Sequence, residues 1–162
     1  MSNGPIETLR EKVRAEWTDY NGHMNLAYFV LIFDYATDGF YPLLGLGPEY
    51  RERTNCSTFT VESHTTYLSE LVEGQEVICT TQLLGFDSKR MHYFHRMFEA
   101  ETVALSATTE QMAVHVDLAV RRVCAMPEDV QDRLAGVFLD HARLAQPAQV
   151  GNVIALGPRA GK

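Results

Sequence analysis

Asp19-Tyr20-Asn21-Gly22-His23-Met24-Asn25 gathers a carboxylate, two carboxamides and an imidazole into one short stretch. The stretch stands directly before an apolar run that reads as a helix beginning at Leu26. The free N–H groups of a helix's first turn are ready donors to an oxygen that becomes negative. A carboxylate beside them can act as general base or as nucleophile. Together these parts suit attack on a carbonyl, with the amide dipoles stabilising the oxyanion, where one such donor is worth about 3–4 kcal/mol in measured hydrolases. Gly22 permits a tight turn that a side chain would strain. The same residues also make an ordinary helix-capping loop, because Asp, Asn and Gly are turn residues, and His23 alone points no further.

The elements around this loop follow from periodicity. Leu26 to Tyr41 is apolar almost all round, interrupted only by Asp34, Thr37, Asp38 and Gly39. Asn25 is a good N-cap for it, and Pro42 with the glycines at 45 and 47 ends it. Downstream the period changes to two. Thr58–Leu68, Gln75–Leu84, Met91–Phe98 and Val103–Leu118 read as half-buried strands with short connections, hence antiparallel. In the last run Ala104, Met112, Val114, Val116 and Leu118 share a parity, and Glu110 shares it too. Arg10–Trp17 reads as a first strand. A final helix begins at Pro127 and is stopped by Pro147.

The expected class is therefore α+β: a long central helix wrapped by a five-stranded antiparallel sheet, with a C-terminal helix. Residues 1–146 form one domain, and 147–162, rich in glycine, form a loose tail. A helix apolar on all sides cannot be covered by one sheet face, so another subunit or the terminal helix must close over it, and a homodimer or higher homo-oligomer is expected.

Composition narrows the function. The chain has 162 residues and a formal charge of −7. An acidic chain of this kind is no binder of phosphate backbones, so nucleic acid is not expected as a partner. The longest apolar stretch, Leu26 to Phe33, is far shorter than the roughly 20 residues of a membrane span, and Met1 to Trp17 holds no apolar run of a signal peptide. Cys56, Cys79 and Cys124 are odd in number and widely spaced, which fits reduced thiols in a cytoplasmic protein rather than disulfides or a zinc knuckle. No serine elbow, P-loop or dinucleotide loop is present. His92 and His95 fall on opposite strand faces, so no metal site is expected. His64 reads as a strand residue facing a neighbour, and His115 with Asp117 reads as a polar surface pair.

The pattern Asp19-x-x-Gly22-His23-x-Asn25-x-x-Tyr28, followed by an apolar helix and four β-type runs, resembles the hotdog-fold acyl-CoA thioesterases of the 4-hydroxybenzoyl-CoA thioesterase superfamily. The resemblance covers about residues 8 to 120. Within that superfamily, Trp17 to Asn25 with Lys89-Arg90-Met91-His92, His115-Val116-Asp117 and Arg121-Arg122 is similar to the carnitine-catabolism thioesterases, which act on betainyl-CoA or dehydrocarnitinyl-CoA. The resemblance implies Asp19 as the catalytic carboxylate, with Asn21, His23 and Asn25 orienting water and substrate. It implies that the helix start near Leu26 polarises the thioester carbonyl, that the sites lie at a subunit interface, and that an acyl-CoA is the substrate, with no cofactor. A cationic acyl group calls for aromatic faces and carboxylates, for which Trp17, Tyr20, Tyr28, Tyr35 and Tyr67 are at hand, and Glu110, with the parity of Met112 and Val114, is a candidate carboxylate lining the site. Lys89, Arg90 and Arg96 are candidates for the coenzyme A phosphates.

Two rival readings stay open on the same residues: an acyl-CoA-binding module without turnover, and an enoyl-CoA hydratase or dehydratase. The charge distribution fits a cationic acyl end, because residues 15–88 carry a net −9 while residues 89–122 carry a net +1.

Overall fold

The computed structural model describes residues 4–156. Five long strands, β1 (Ile6–Lys12), β2 (Cys56–Tyr67), β3 (Glu76–Phe86), β4 (Arg90–Glu99) and β5 (Leu105–Asp117), form one antiparallel sheet in the order β1-β3-β4-β5-β2. A two-residue strand, β6 (Arg122–Val123), pairs with the end of β5. Helix α1 (Leu26–Phe40) lies on the inner face of the sheet and runs on into a 3-10 turn, Tyr41–Leu44. Short α2 (Pro48–Thr54) leads into β2, and α3 (Glu128–His141) packs beside β3.

Alternate residues of β4 meet α1. The His95 ring stacks on Phe33 and bonds Thr37, and Tyr93 packs against Phe40. Two core clusters result. One joins α1 to Val13, Trp17, Met24, Leu71, Val77 and Met97. The other joins Phe40 and Tyr41 to Tyr50, Met91, Ala113, Val130 and Leu134. Gly39 is required by close approach, because a Cβ there would stand 2.0 Å from the Thr8 carbonyl oxygen of β1.

Several boundaries differ from the sequence expectation, each for a tertiary reason. The first strand starts at Ile6 and stops at Lys12, rather than spanning Arg10–Trp17. Its partner β3 runs out beyond Glu76 into the Gly74 turn, and the chain then peels into a 3-10 turn at Ala15–Trp17. The last helix ends at His141, well before Pro147. His141 is buried, and its Nδ1 accepts the Leu83 N–H at 2.8 Å. The segment after α3 makes contacts as far as residue 151. Pro147 is buried, the Ala145 carbonyl accepts from Gln82, and the Gly151 N–H donates to Glu110. Residues 157–162 of the expected tail lie outside the described residues.

The wrapping of α1 is one-sided within a single chain. Phe29, Ile32, Phe33, Ala36 and Phe40 are buried, while Leu26 and Val30 are exposed. Edge strand β2 is exposed over residues 59–63 and at Tyr67, including Phe59 and Val61. Among the described residues no helix is long and apolar enough to cross a membrane.

Candidate active site

Asp19 sits in a turn clamped at both ends. Its N–H donates to the His23 carbonyl at 3.1 Å, its carbonyl accepts the Gly22 N–H at 2.9 Å, and Thr18 bridges Met24. Gly22 adopts φ +80°, the left-handed conformation that glycine takes without strain. Two further bonds anchor the loop to the core: Met24 N–H to the Leu71 carbonyl (2.7 Å) and Asn25 N–H to the Trp17 carbonyl (2.9 Å).

Both Asp19 oxygens are held. Oδ1 accepts the Asn21 N–H at 2.8 Å, and Oδ2 accepts from Asn25 Nδ2 at 3.0 Å. The Asn21 N–H first, then the Asn25 amide, hold the Asp19 carboxyl below its ordinary range. Asn25 meanwhile caps α1, its Oδ1 accepting the Ala27 N–H at 3.0 Å, and its carbonyl takes the Tyr28 N–H. Of the first-turn donors this leaves the Leu26 N–H, which has no acceptor within a helix, for a ligand. The result is an ionised carboxylate beside a helix N-terminus, on a loop fixed by backbone bonds. A cleft of about 290 Å³ opens here, lined by His23, Met24, Leu26, Phe29 and Tyr67 to Glu70.

A second, larger cleft of about 580 Å³ lies between α1, α2 and the start of β2. Asp34, Asp38, Glu52, Tyr41, Tyr50 and Phe59 are among its walls. Burial, and then the neighbouring Asp34, push the Asp38 carboxyl above its ordinary range.

Residues 13–134 match the family described as the thioesterase-like superfamily. A betainyl-CoA thioesterase of Pseudomonas aeruginosa is 38% identical over 153 residues, covering 94% of this chain and 96% of that one. A Staphylococcus aureus protein solved in complex with CoA superposes with a TM-score of 0.87 at 32% identity, over 96% of this chain and all of that one. A 1,4-dihydroxy-2-naphthoyl-CoA thioesterase from Synechocystis shares the fold, with a TM-score of 0.71 at 15% identity over 80% of this chain and 95% of that one. The chain belongs to the thioesterase-like superfamily. It has the hotdog fold that the loop-and-helix pattern implied, and its chemistry is thioester hydrolysis.

Within this thioesterase the residues singled out from sequence separate into groups. Asp19, Asn21, Asn25 and Leu26 come together as described. The His23 Nδ1 lies 3.2 Å from the Met24 carbonyl, and the ring borders the smaller cleft. Tyr20 projects at the tip of the turn, 98% exposed. Trp17 instead is a core residue: it is buried, stacked on Tyr28 at 5.6 Å and covered by the Arg14 guanidinium. Its indole face is therefore taken up by packing, and so is one face of Tyr28.

Glu110 is not beside Asp19. It pairs across the sheet with Phe94 on the outer face, away from α1, where it bonds His92 (2.7 Å) and the Gly151 N–H (2.7 Å). Parity placed Glu110 with Met112 and Val114 correctly, but that face is the outer one. The small residues Ala107 and Ala113 occupy the inner face instead.

The bases are also apart from the loop. Lys89 and Arg90 lie at the β3–β4 turn, where Asp87 holds the Arg90 guanidinium (2.6 Å) and both backbone N–H groups. The Asp19 loop packs at the other end of the sheet, and the length of β4, roughly 30 Å at about 3.3 Å per residue, separates them. Arg96 is half-buried on the outer face, bonded to Gln82 and set over the Phe94 ring.

One grouping could not be read from spacing. Cys56, His115 and Cys124 place their ligand atoms within 4.8 Å of one another. His115 is buried rather than part of a surface pair, with Nε2 at 2.9 Å from the Tyr50 hydroxyl.

Proposed function

We propose that this chain is an acyl-CoA thioesterase acting on a short acyl group with a cationic end, of the betainyl kind, and that it works as a homodimer. The observation that carries the reading is the Asp19 carboxylate, held ionised by Asn21 and Asn25 at the start of α1. The thioester carbonyl oxygen accepts the Leu26 N–H and gains from the helix dipole as it becomes negative. Asp19 either removes a proton from water as that water attacks, or attacks the carbonyl itself to give a mixed anhydride that water opens. Coenzyme A leaves as the thiolate in both routes, and both require the ionised carboxylate.

The dimer supplies what one chain lacks. Val61 and Val30 expose apolar surface along edge strand β2 and the adjoining side of α1, and an open edge invites pairing. A two-fold axis across β2 pairs it antiparallel with its copy, which brings the Cys56 end of one chain to the Tyr67 end of the other. The acidic, aromatic cleft of one copy then adjoins the Asp19 loop of its partner. Asp34 and Asp38 attract a cation there, while Phe59, exposed on β2, offers a ring face to it. The same axis carries Lys89 and Arg90 toward the partner's loop, where phosphates require them.

Thiol release across betainyl-, 4-hydroxybenzoyl- and medium-chain acyl-CoA tests the reading. Betainyl-CoA is expected to be turned over best. In Asp34→Asn its KM rises about tenfold, equivalent to about 1.4 kcal/mol, with little change for a neutral acyl group. Equal sensitivity of all three substrates to Asp34→Asn would remove the cationic assignment, and no thiol release from any of them would favour the binding module.

A further inference from the structure

The cluster of Cys56, His115 and Cys124 takes no part in the thioesterase chemistry. It lies where the start of β2, the end of β5 and the residue after β6 meet, against α2. This is the end of the sheet away from the Asp19 loop. Cys56 pairs with Asp117 across β2–β5, and the Cys124 N–H bonds the His115 carbonyl on the other side of β5. Three side chains from three strand segments thus converge on one point.

We infer that Cys56, Cys124 and His115 form a binding site for a thiophilic divalent cation, zinc by its donor set. Two thiolates and an imidazole are the soft and borderline donors that zinc selects over the hard cations. The spacing fits. In a tetrahedral site with Zn–S about 2.3 Å and Zn–N about 2.0–2.1 Å, the ligand atoms stand about 3.6–3.8 Å apart. Here the Cys124 Sγ to His115 Nδ1 distance is 3.3 Å, and all three atoms fall within 4.8 Å. The far nitrogen of the imidazole is also held as a ligand histidine's should be. Nε2 lies 2.9 Å from the Tyr50 hydroxyl, so it can carry the proton and donate there, leaving the Nδ1 lone pair for the metal.

Without a cation, Nδ1–H can instead donate to the Cys124 carbonyl at 3.2 Å, so loading selects the tautomer. A cation would displace the thiol protons of Cys56 and Cys124. The site would clamp α2, through Tyr50, to the three strand segments. Tyr50 and the residues after Cys56 also wall the larger cleft, so the metal would set that cleft's shape without touching the thioester.

The experiment uses untagged, chelator-treated full-length protein titrated with Co²⁺. The expected result is a thiolate-to-cobalt charge-transfer absorption with the intense visible bands of a tetrahedral site. It should saturate at about one ion per chain and be abolished by Zn²⁺. Cys56→Ala and Cys124→Ala each weaken cobalt binding at least about 100-fold, as loss of a ligand requires, whereas Cys79→Ala, at a buried cysteine outside the cluster, does not. Zn²⁺ also protects Cys56 and Cys124 of the unmutated protein from alkylation, read peptide by peptide by mass spectrometry. This second readout does not depend on any variant folding. A weak octahedral cobalt spectrum with no charge-transfer band overturns the site, and so does alkylation that Zn²⁺ leaves unchanged. Formation of a Cys56–Cys124 disulfide in place of metal uptake overturns it equally.

Discussion

Asn25 donates through Nδ2 to Asp19 Oδ2 at 3.0 Å while its own Oδ1 accepts the Ala27 N–H at 3.0 Å, so one side chain both orders the carboxylate and starts the helix beneath it. The two roles separate by substitution. Asn25→Asp keeps a good N-cap, whereas Asn25→Ala loses the cap, which alone costs about 1 kcal/mol. Both remove the amide donor from Asp19. Because that donor favours the ionised form, its loss raises the Asp19 pKa, and activity, which fades as pH falls through that pKa, fades at higher pH. The pH profile of kcat/KM checks this: its acid limb moves upward in both variants, furthest in Asn25→Asp, where a second carboxylate adds repulsion. An unmoved limb would detach Asn25 from the chemistry.

His95 gives a pH dependence of folding rather than of catalysis. It is fully buried between Thr37 and Thr81, whose hydroxyls lie 3.0 Å and 2.8 Å from its two nitrogens, and burial pushes its pKa down to about 3. The unfolded chain takes up this proton below pH 6.5, its ordinary pKa, and the native state only near 3. Stability from this residue is therefore complete above 6.5 and lost as pH falls toward 3, at up to about 1.4 kcal/mol per pH unit. Denaturant titrations at neutral and mildly acidic pH should show a steeper loss in the parent than in His95→Gln. Equal slopes would mean that the imidazole is charged in the fold.

Val61 tests the dimer. It lies at the bulge of edge strand β2 and is 59% exposed. A lysine on an open edge blocks strand pairing. Val61→Lys is expected to sediment as a monomer with an unchanged circular dichroism spectrum and to lose most thiol release, at least about tenfold if binding energy from the partner's cleft is forfeited. A monomer with full activity would confine the site to one chain.

What the sequence disclosed was mostly local. The cap at Asn25, the turn at Gly22 and the start of α1 at Leu26 depend on neighbours in the chain, and the structure has them where the residues place them. Strand periodicity is likewise local, so β2 to β5 emerge with small shifts at their ends. The rest depends on partners far along the chain. Lys12 ends β1 because β3 ends opposite it. Parity groups Glu110 with Met112 and Val114 but cannot tell which face meets α1. Lys89, Arg90 and Arg96 look like one basic group in sequence, yet a strand lays them out along its length and on its outer side. Cys56 and Cys124 meet His115 only through the β2–β5 register and the short β6, which no spacing rule encodes.

The central claim is that the Asp19 carboxylate performs the hydrolysis. Thiol release from betainyl-CoA by Asp19→Asn, compared with the parent at matched melting temperature, tests it most directly. The expected result is a fall in kcat of at least about 100-fold, the scale of losing a general base, with KM nearly unchanged. A variant that releases coenzyme A as fast as the parent would contradict the assignment.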